Sequence, residues 1–217
     1  MLLPALAKAK KKAQQTSCRN NLKQLELGLR MYLDVSNDVF PACGSRNTFG
    51  FQAEDWIYWR NQPAYPLKNS LIVAHLGTGS TSNLFRCPAD KDDRDRIASN
   101  TDGNGIYPFS YSMTSYDIDR GITSVKQGTV WHPFKFTQIK NPAKKIVLAE
   151  EQSMLSGPEC SDPTGDVIND GRYVPGGGND ELTSRHVRKA DVGFCDGHVE
   201  TVKWQFGDDT ANSDPNL

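Results

Sequence analysis

Ser17-Cys-Arg-Asn-Asn-Leu-Lys-Gln-Leu-Glu-Leu-Gly-Leu-Arg-Met-Tyr32 is the stretch of sequence that decides the fold. Apolar side chains recur in it at steps of four, three, four and three residues: Cys18, Leu22, Leu25, Leu29 and Tyr32. This spacing is typical of one face of an amphipathic α-helix. It predicts a single helix over residues 3–34 that ends ahead of Phe40-Pro41, with its leucines packed on a sheet.

The first turns of this helix combine small or apolar residues with a cluster of four lysines: Lys8, Lys10, Lys11 and Lys12. This combination is typical of the end of a membrane helix, where lysines lie at the lipid headgroups. The alternative is an ordinary surface helix with solvated lysines. No stretch of the sequence reaches the roughly 18–20 apolar residues that span a bilayer. We therefore expect a membrane-spanning segment, if the natural protein has one, to precede Met1.

Composition and charge limit the class of protein. The 217 residues are enough for one sizeable core, and the net charge of −1 gives no reason to expect a nucleic-acid partner. The charge is unevenly distributed, since residues 1–30 hold seven Lys and Arg against one acid, whereas residues 150–217 hold fourteen acids against five bases. The sequence therefore indicates a basic stem and an acidic head.

The rest of the chain has the composition of short strands joined by long loops. Strands are predicted at residues 107–113 and 145–149, and a second short helix near Leu67–Leu76. Residues 191–204 predict a hairpin around a two-residue Asp196-Gly197 turn. In that register Phe194 lies opposite Val199 and Val192 opposite Thr201.

This order of elements predicts an α+β fold, with a long N-terminal amphipathic helix packed on an antiparallel β-sheet with long loops. We expect three parts: a helical stem over residues 1–35, a globular head over 36–207 and a frayed polar tail over 208–217.

Several islands of sequence carry a resemblance to a known family. They are Leu2-Leu-Pro-Ala-Leu-Ala-Lys-Ala-Lys10, Ser17-Cys-Arg-Asn-Asn-Leu-Lys-Gln-Leu25, Phe85-Arg-Cys-Pro-Ala-Asp90, Asn141-Pro-Ala-Lys-Lys-Ile-Val-Leu-Ala-Glu150, and Arg185-His186 with Phe194-Cys-Asp-Gly-His-Val-Glu200. In this order they resemble the prepilin-type H-x9-D-G proteins, which are type IV pilin-like proteins (pseudopilins). The cleavage Gly, the following Phe and the Glu of the prepilin signature have no match here.

The resemblance implies a pilin-like fold and a structural subunit of a type II secretion or type IV pilus-like assembly. Such a subunit is anchored in the inner membrane with its head in the periplasm, and it assembles with other pilin-like subunits through the N-terminal helix. No nucleophile–base pair is legible in the sequence, so we expect no enzyme activity. The alternative is a membrane-anchored periplasmic binding or hydrolytic module that uses a pilin-type anchor.

The H-x9-D-G residues are one candidate site: His186, Asp196, Gly197 and His198. They are either metal ligands or an acid–base pair, or they shape a turn in which Gly197 supplies the positive φ angle.

The acidic loop over residues 157–181 is a second candidate site. Its oxygen-bearing side chains are typical of calcium ligands: Asp162, Asp166, Asn169, Asp170 and Asp180. The resemblance adds to this prediction, because major pseudopilins bind calcium in a C-terminal loop. The alternative is that these acids are solvated, or that Arg172 and Arg185 neutralise them.

Five cysteines without a C-x-x-C pair leave the redox compartment open, and the odd count leaves at least one thiol unpaired within the chain. The resemblance implies an envelope protein, where disulfides form, and its islands favour the pair Cys18–Cys87.

Overall fold

In the computed structural model, which describes residues 2–77, 82–118, 120–176 and 179–217, helix α1 runs from Leu2 to Val35. The predicted helix over residues 3–34 is confirmed. Leu22, Leu25 and Leu29 are buried, and α1 packs on the last two strands of the chain, Lys189–Phe194 and Val199–Lys203. The lysines over residues 8–12 are exposed. Among the described residues, no helix combines the length and apolar content that crossing a bilayer requires.

The other regular elements are short. They are α2 (Arg94–Ser99) and strands β1 (Tyr111–Thr114), β2 (Val125–Gln127), β3 (Val130–His132), β4 (Ile146–Glu150), β5 (Arg172–Tyr173), β6 (Lys189–Phe194) and β7 (Val199–Lys203). Single 3-10 turns lie at Leu67–Asn69, Val73–His75, Ser82–Phe85, Phe136–Gln138, Pro142–Lys144, Trp204–Phe206 and Thr210–Asn212.

The main sheet has five strands in the order β5-β1-β4-β6-β7. Three of its four pairings are antiparallel, as expected for a predominantly antiparallel sheet, but β5 runs parallel to β1, so the sheet is mixed. The parallel pair forms because the long acidic loop brings residues 171–173 alongside β1. There the Met113 amide donates to Gly171 O at 2.8 Å and the Ser115 amide donates to Tyr173 O at 2.9 Å.

The second helix predicted near Leu67–Leu76 is replaced by two 3-10 turns. The cause is Ser70, whose hydroxyl donates to Leu67 O at 2.6 Å and accepts from the Tyr58 amide at 2.8 Å. This local bonding holds Ser70 at ψ 144°, outside the helical region, and so interrupts the turn.

The hairpin β6–β7 has a different register from the predicted one. Gly193 lies opposite Val199, and the Phe194 amide bonds to His198 O at 2.9 Å. The loop therefore has three residues, 195–197, with Gly197 at φ +93° in the position that follows a type I turn. As a result, Phe194 lies opposite His198, and their rings stack with centroids 4.3 Å apart.

The C-terminal residues are packed rather than frayed. Ser213 and Pro215 are buried, and the Lys140 amide donates to Pro215 O at 2.9 Å. Asp209 caps the last 3-10 turn by accepting from the Ala211 amide at 3.0 Å. The polar composition of residues 208–217 predicted fraying because it does not reveal these contacts to the head.

Candidate functional site

A cluster of buried charges surrounds His186, on the side of the head that faces α1. Its members come from four segments of the chain: Asp90, Arg96, Glu150, Arg185, His186 and Asp191. Buried charges are stable only when they are paired and hydrogen-bonded. The contacts within the cluster meet that requirement almost throughout.

Asp90 is the anion at one end of the cluster. Its two carboxylate oxygens accept from the Arg96 guanidinium at 2.5 and 2.9 Å, and Oδ2 also accepts from the Ser110 hydroxyl at 2.6 Å. Burial alone would raise the pKa of Asp90, but the positive charges of Arg185 and Arg96 outweigh it and hold the pKa below its usual range. Asp90 is therefore a permanent anion that fixes α2 to the head.

Glu150, at the end of β4, is the anion at the other end. Its Oε1 lies 3.2 Å from His186 Nε2 and 3.3 Å from Arg185 Nη1, and its Oε2 accepts from the Asp191 amide at 3.1 Å. Burial would raise the pKa of Glu150, but His186 and Arg185 lower it. Burial would lower the pKa of His186, but Glu150 raises it. The two side chains therefore form a buried ion pair.

Asp191 lies on β6 at the edge of this pair. Burial, and then the negative charge of Glu150, raise its pKa to about 6. Its Oδ1 accepts from the Thr201 hydroxyl at 2.5 Å. Its Oδ2 has no hydrogen-bond partner within the described ranges, although it lies 3.8 Å from His186 Nε2.

Cys18 and Cys87 form a disulfide beside His186, which is the pairing that the resemblance implies. The bond links α1 to the segment before α2, and Cys87 Sγ lies 3.6 Å from His186 Nε2. In the part of the chain that the structure describes, one group of side chains brings three or more His, Cys, Asp or Glu ligand atoms together: Cys18, Cys87, Glu150 and His186.

The H-x9-D-G motif is not one site. Strand β6 separates His186 from the turn, and six residues at ~3.3 Å each amount to about 20 Å. Asp196 Oδ1 accepts from the backbone amide and from Nδ1 of His198, at 3.1 and 2.5 Å. Asp196, Gly197 and His198 therefore shape the turn, and the predicted metal site or acid–base pair with His186 is not assembled.

The predicted calcium ligands are divided by the structure. Four of them, Asp166, Asn169, Asp170 and Asp180, line one pocket of about 310 Å³, together with Arg172. The fifth, Asp162, is half-buried outside this pocket, where its Oδ1 accepts from the amide and hydroxyl of Thr164. Residues 177 and 178 of the loop lie outside the described ranges.

The pocket is acidic, but its carboxylates are partly engaged. Asp170 accepts from the backbone amides of Arg46 and Arg172 at 2.5 and 2.8 Å, and Asp180 accepts from the Val174 amide at 2.7 Å. Burial, and then the charge of Asp170, raise the pKa of Asp180 to about 8. Arg172 turns its guanidinium to the carbonyls of Ser115 and Tyr116, at 2.9 and 2.5 Å. Arg185 belongs to the His186 cluster, so it does not neutralise this pocket.

A cleft of about 350 Å³ opens beside His186. It is lined by basic and apolar residues that include Lys8, Lys11, Lys12, Arg185 and Val187. A pocket lined by His186, Asp196 and aromatic residues would favour the alternative of a binding or hydrolytic module. Of these residues, the cleft is lined by His186 alone.

Sequence reasoning missed Glu150, Arg96 and Asp191 as members of the cluster. Glu150 carried one signal, because a carboxylate follows directly on the apolar run Ile146-Val-Leu-Ala149 and must be paired when that strand is buried. The pairing partners lie 35 to 41 residues away along the chain, at a distance that no local pattern indicates.

No protein-family model matches the chain, and no curated protein or solved structure is significantly similar to it. The resemblance to the prepilin-type H-x9-D-G proteins therefore rests on the sequence islands, and the function that it implies is a proposal.

Proposed function

We propose that the chain is a pseudopilin-like structural subunit of a type II secretion or type IV pilus-like assembly in the cell envelope. Its partners would be other pilin-like subunits, which pack against it through α1, and the inner membrane, which anchors the protein with its head in the periplasm. Its work would be mechanical rather than catalytic.

The observation that carries this proposal is the solvent-facing side of α1. Six exposed residues lie on the side of the helix that points away from the head, and we call them the outward ridge: Ala13, Ser17, Asn20, Gln24, Leu27 and Met31. None of the six is charged, although 24% of all residues are. An uncharged ridge of small, amide and apolar side chains, about 27 Å long at a rise of 1.5 Å per residue, suits contact with a second helix.

The opposite side of α1 supports the same reading, because it is fixed to the head. Cys18 is covalently attached, and Leu22, Leu25 and Leu29 are at most 2% exposed. The Tyr111 hydroxyl also donates to the carbonyl of Cys18 at 3.3 Å. Such a helix can contact a second copy of the chain through its uncharged side while its other side stays attached to its own head.

Site-specific photo-crosslinking in the natural full-length protein tests this function. A photoreactive phenylalanine analogue at Gln24, on the outward ridge, should give a ladder of covalent dimers and larger multimers of this chain. The matched control is Val130, which is 56% exposed on the β2–β3 hairpin, where no ladder is expected.

A charge placed on the ridge gives a second arm. Leu27 is 61% exposed, so Leu27→Lys should change the free energy of unfolding by no more than about 0.5 kcal/mol. The same change should remove the ladder from position 24. Products at position 24 that contain only a different protein, or a ladder that Leu27→Lys leaves intact, would argue against a self-assembling subunit.

A further inference from the structure

We propose that Cys18 and Cys87 belong to a redox-controlled metal site. When the disulfide is reduced, the two thiolates bind a zinc-like divalent ion together with His186 and Glu150. The two redox states would then exchange a covalent cross-link for a metal cross-link at the same point of the fold. This inference does not depend on the proposed assembly function.

The first support is the geometry of the ligand atoms. Those of Cys18, Cys87, Glu150 and His186 all lie within 4.8 Å of one another. In a tetrahedral zinc site with Zn–S of about 2.3 Å and Zn–N of about 2.0 Å, neighbouring ligand atoms are roughly 3.3 to 3.8 Å apart. His186 Nε2 is already 3.6 Å from Cys87 Sγ and 3.2 Å from Glu150 Oε1. Once the S–S bond breaks, mainly the two sulfur atoms must move apart.

The second support is the direction in which these atoms point. In a catalytic relay, the nucleophile and the carboxylate contact opposite nitrogens of the histidine ring. Here Cys87 Sγ and Glu150 Oε1 both approach the same nitrogen, Nε2 of His186. Three electron-pair donors that converge on one point suit a cation at that point better than a proton relay.

Asp191 supplies an independent third support. It is fully buried, its Oδ2 lies 3.8 Å from His186 Nε2, and among the described residues that oxygen has no hydrogen-bond partner. A buried carboxylate oxygen without a donor is costly unless a positive charge faces it. An ion held by the four ligands would provide that charge, with Asp191 next to the ligand sphere.

The charges also balance. Two thiolates and the Glu150 carboxylate carry −3, a divalent ion carries +2, and Arg185 Nη1 lies 3.3 Å from Glu150 Oε1 with a further positive charge. The four ligands, the ion and Arg185 are therefore neutral together, and the carboxylate of Asp191 adds one negative charge beside them. His186 also lines the open cleft of about 350 Å³, which gives an ion an approach from solvent.

The redox step needs an external dithiol as the reductant. It transfers two electrons and two protons to the disulfide, so that the S–S bond of Cys18 and Cys87 becomes two thiols while the dithiol becomes its own disulfide. Metal binding then releases three protons to solvent, two from the thiols and one from the His186 imidazolium, whose nitrogen must be neutral to bind the ion. Reoxidation by an external disulfide, which takes up the two electrons and becomes a dithiol with two protons from solvent, would expel the ion and restore the cross-link.

The test compares the oxidised chain with the chain reduced under oxygen-free conditions, using Co²⁺ as a spectroscopic stand-in for Zn²⁺. The reduced chain should bind one Co²⁺ with thiolate charge-transfer and tetrahedral visible bands, and excess Zn²⁺ should bleach them. The oxidised chain should show neither band. Equal binding by both forms, or no stoichiometric binding by the reduced form, would overturn the proposal.

Variants assign the ligands. His186→Gln and Glu150→Gln should each abolish stoichiometric binding, and Asp191→Asn should weaken it roughly 10- to 100-fold, as a neighbour of the ligand sphere does. Cys160→Ser is the matched control, because Cys160 is a partly exposed free cysteine, and it should bind like the wild type. Loss of binding in Cys160→Ser would mean that the ion is held elsewhere.

A thermal measurement guards against variants that fail to fold. Zn²⁺ at 100 times its dissociation constant should raise the melting temperature of the reduced wild-type chain by roughly 5 to 11 °C. The melting temperature of the oxidised chain should not change. A reduced chain that is unfolded both with and without Zn²⁺ would refute the site.

Discussion

The disulfide should be among the largest single contributions to stability, and Cys18→Ala/Cys87→Ala is the perturbation that measures it. The cross-link joins residues 69 positions apart. For a loop of this length, the chain-entropy model gives a stabilisation of about 4.4 kcal/mol, through restriction of the unfolded chain. In a domain of this size that corresponds to a fall in melting temperature of roughly 9 to 18 °C.

Urea unfolding at 25 °C is the assay, with the single variants as internal controls. Either single substitution removes the whole cross-link, so the two single variants and the double variant should lose nearly the same free energy of unfolding. The m-value should also rise, because the unfolded chain without the cross-link exposes more surface. This rise separates an effect on the unfolded chain from damage to the native packing.

The reasoning would be refuted by a loss of less than about 1 kcal/mol in the double variant. It would equally be refuted if the two single substitutions were additive. Additivity would mean that each side chain contributes local packing, since both are fully buried, and that the covalent link itself adds little.

Three further predictions concern buried or strained groups. Burial raises the pKa of Glu26 well above its usual range, and its Oε1 lacks a hydrogen-bond partner among the described residues, so Glu26→Met should raise the free energy of unfolding by about 1 to 3 kcal/mol at pH 8 in urea. A lower free energy of unfolding for Glu26→Met would contradict this prediction. Gly197→Ala should lower the free energy of unfolding by about 1 to 2 kcal/mol in the same assay, because Gly197 has a φ angle of +93°, which an alanine adopts only with strain. An unchanged urea midpoint would contradict this turn geometry. Calcium should raise the melting temperature relative to a chelator, and Asp180→Asn should remove that rise, whereas Asp162→Asn, outside the pocket, should keep it. With a chelator present, the contribution of Asp180 to stability should fall as pH rises from about 4, the usual pKa of an Asp in an unfolded chain, to about 8, the raised folded pKa, and should level off above that. Identical melting curves with calcium and chelator would mean that the pocket binds no calcium.

The parts of the fold that the sequence predicted are those that local patterns control. Leu22, Leu25 and Leu29 repeat with the period of a helix, and the apolar run over residues 146–149 is a buried strand. The hairpin was located correctly, but its register was wrong. An Asp-Gly pair fits both a two-residue turn and the last two positions of a three-residue loop, and Gly197 takes a positive φ angle in either case. The φ angle of Asp196 separates them, because a two-residue type I′ turn needs a positive value there and Asp196 does not have one.

The parts that could not be predicted depend on contacts between distant segments. The parallel pairing of β5 with β1 joins residues about 60 positions apart, and the composition of two-residue β5 gives no strand signal. The charged cluster is the same kind of case, because no local pattern pairs Arg96 with Asp90, or Glu150 with Arg185. In the acidic loop, four of the five proposed ligands share one pocket, and the binding of calcium there stays a prediction.

The position of the charged cluster around His186 suits it to attaching helix α1 to the head. Helix α1 is bonded to the head at Cys18, and Cys87 is only three residues from Asp90, whose carboxylate holds Arg96 and Ser110. A force on the first turns of α1 would reach the covalent bond first and then this network of short, charge-assisted hydrogen bonds. Because this network spans α2, β1 and β4, such a force would have to break several buried interactions at once to detach α1. In the proposed assembly subunit, the buried charges around His186 would therefore make the attachment of α1 to the head rigid.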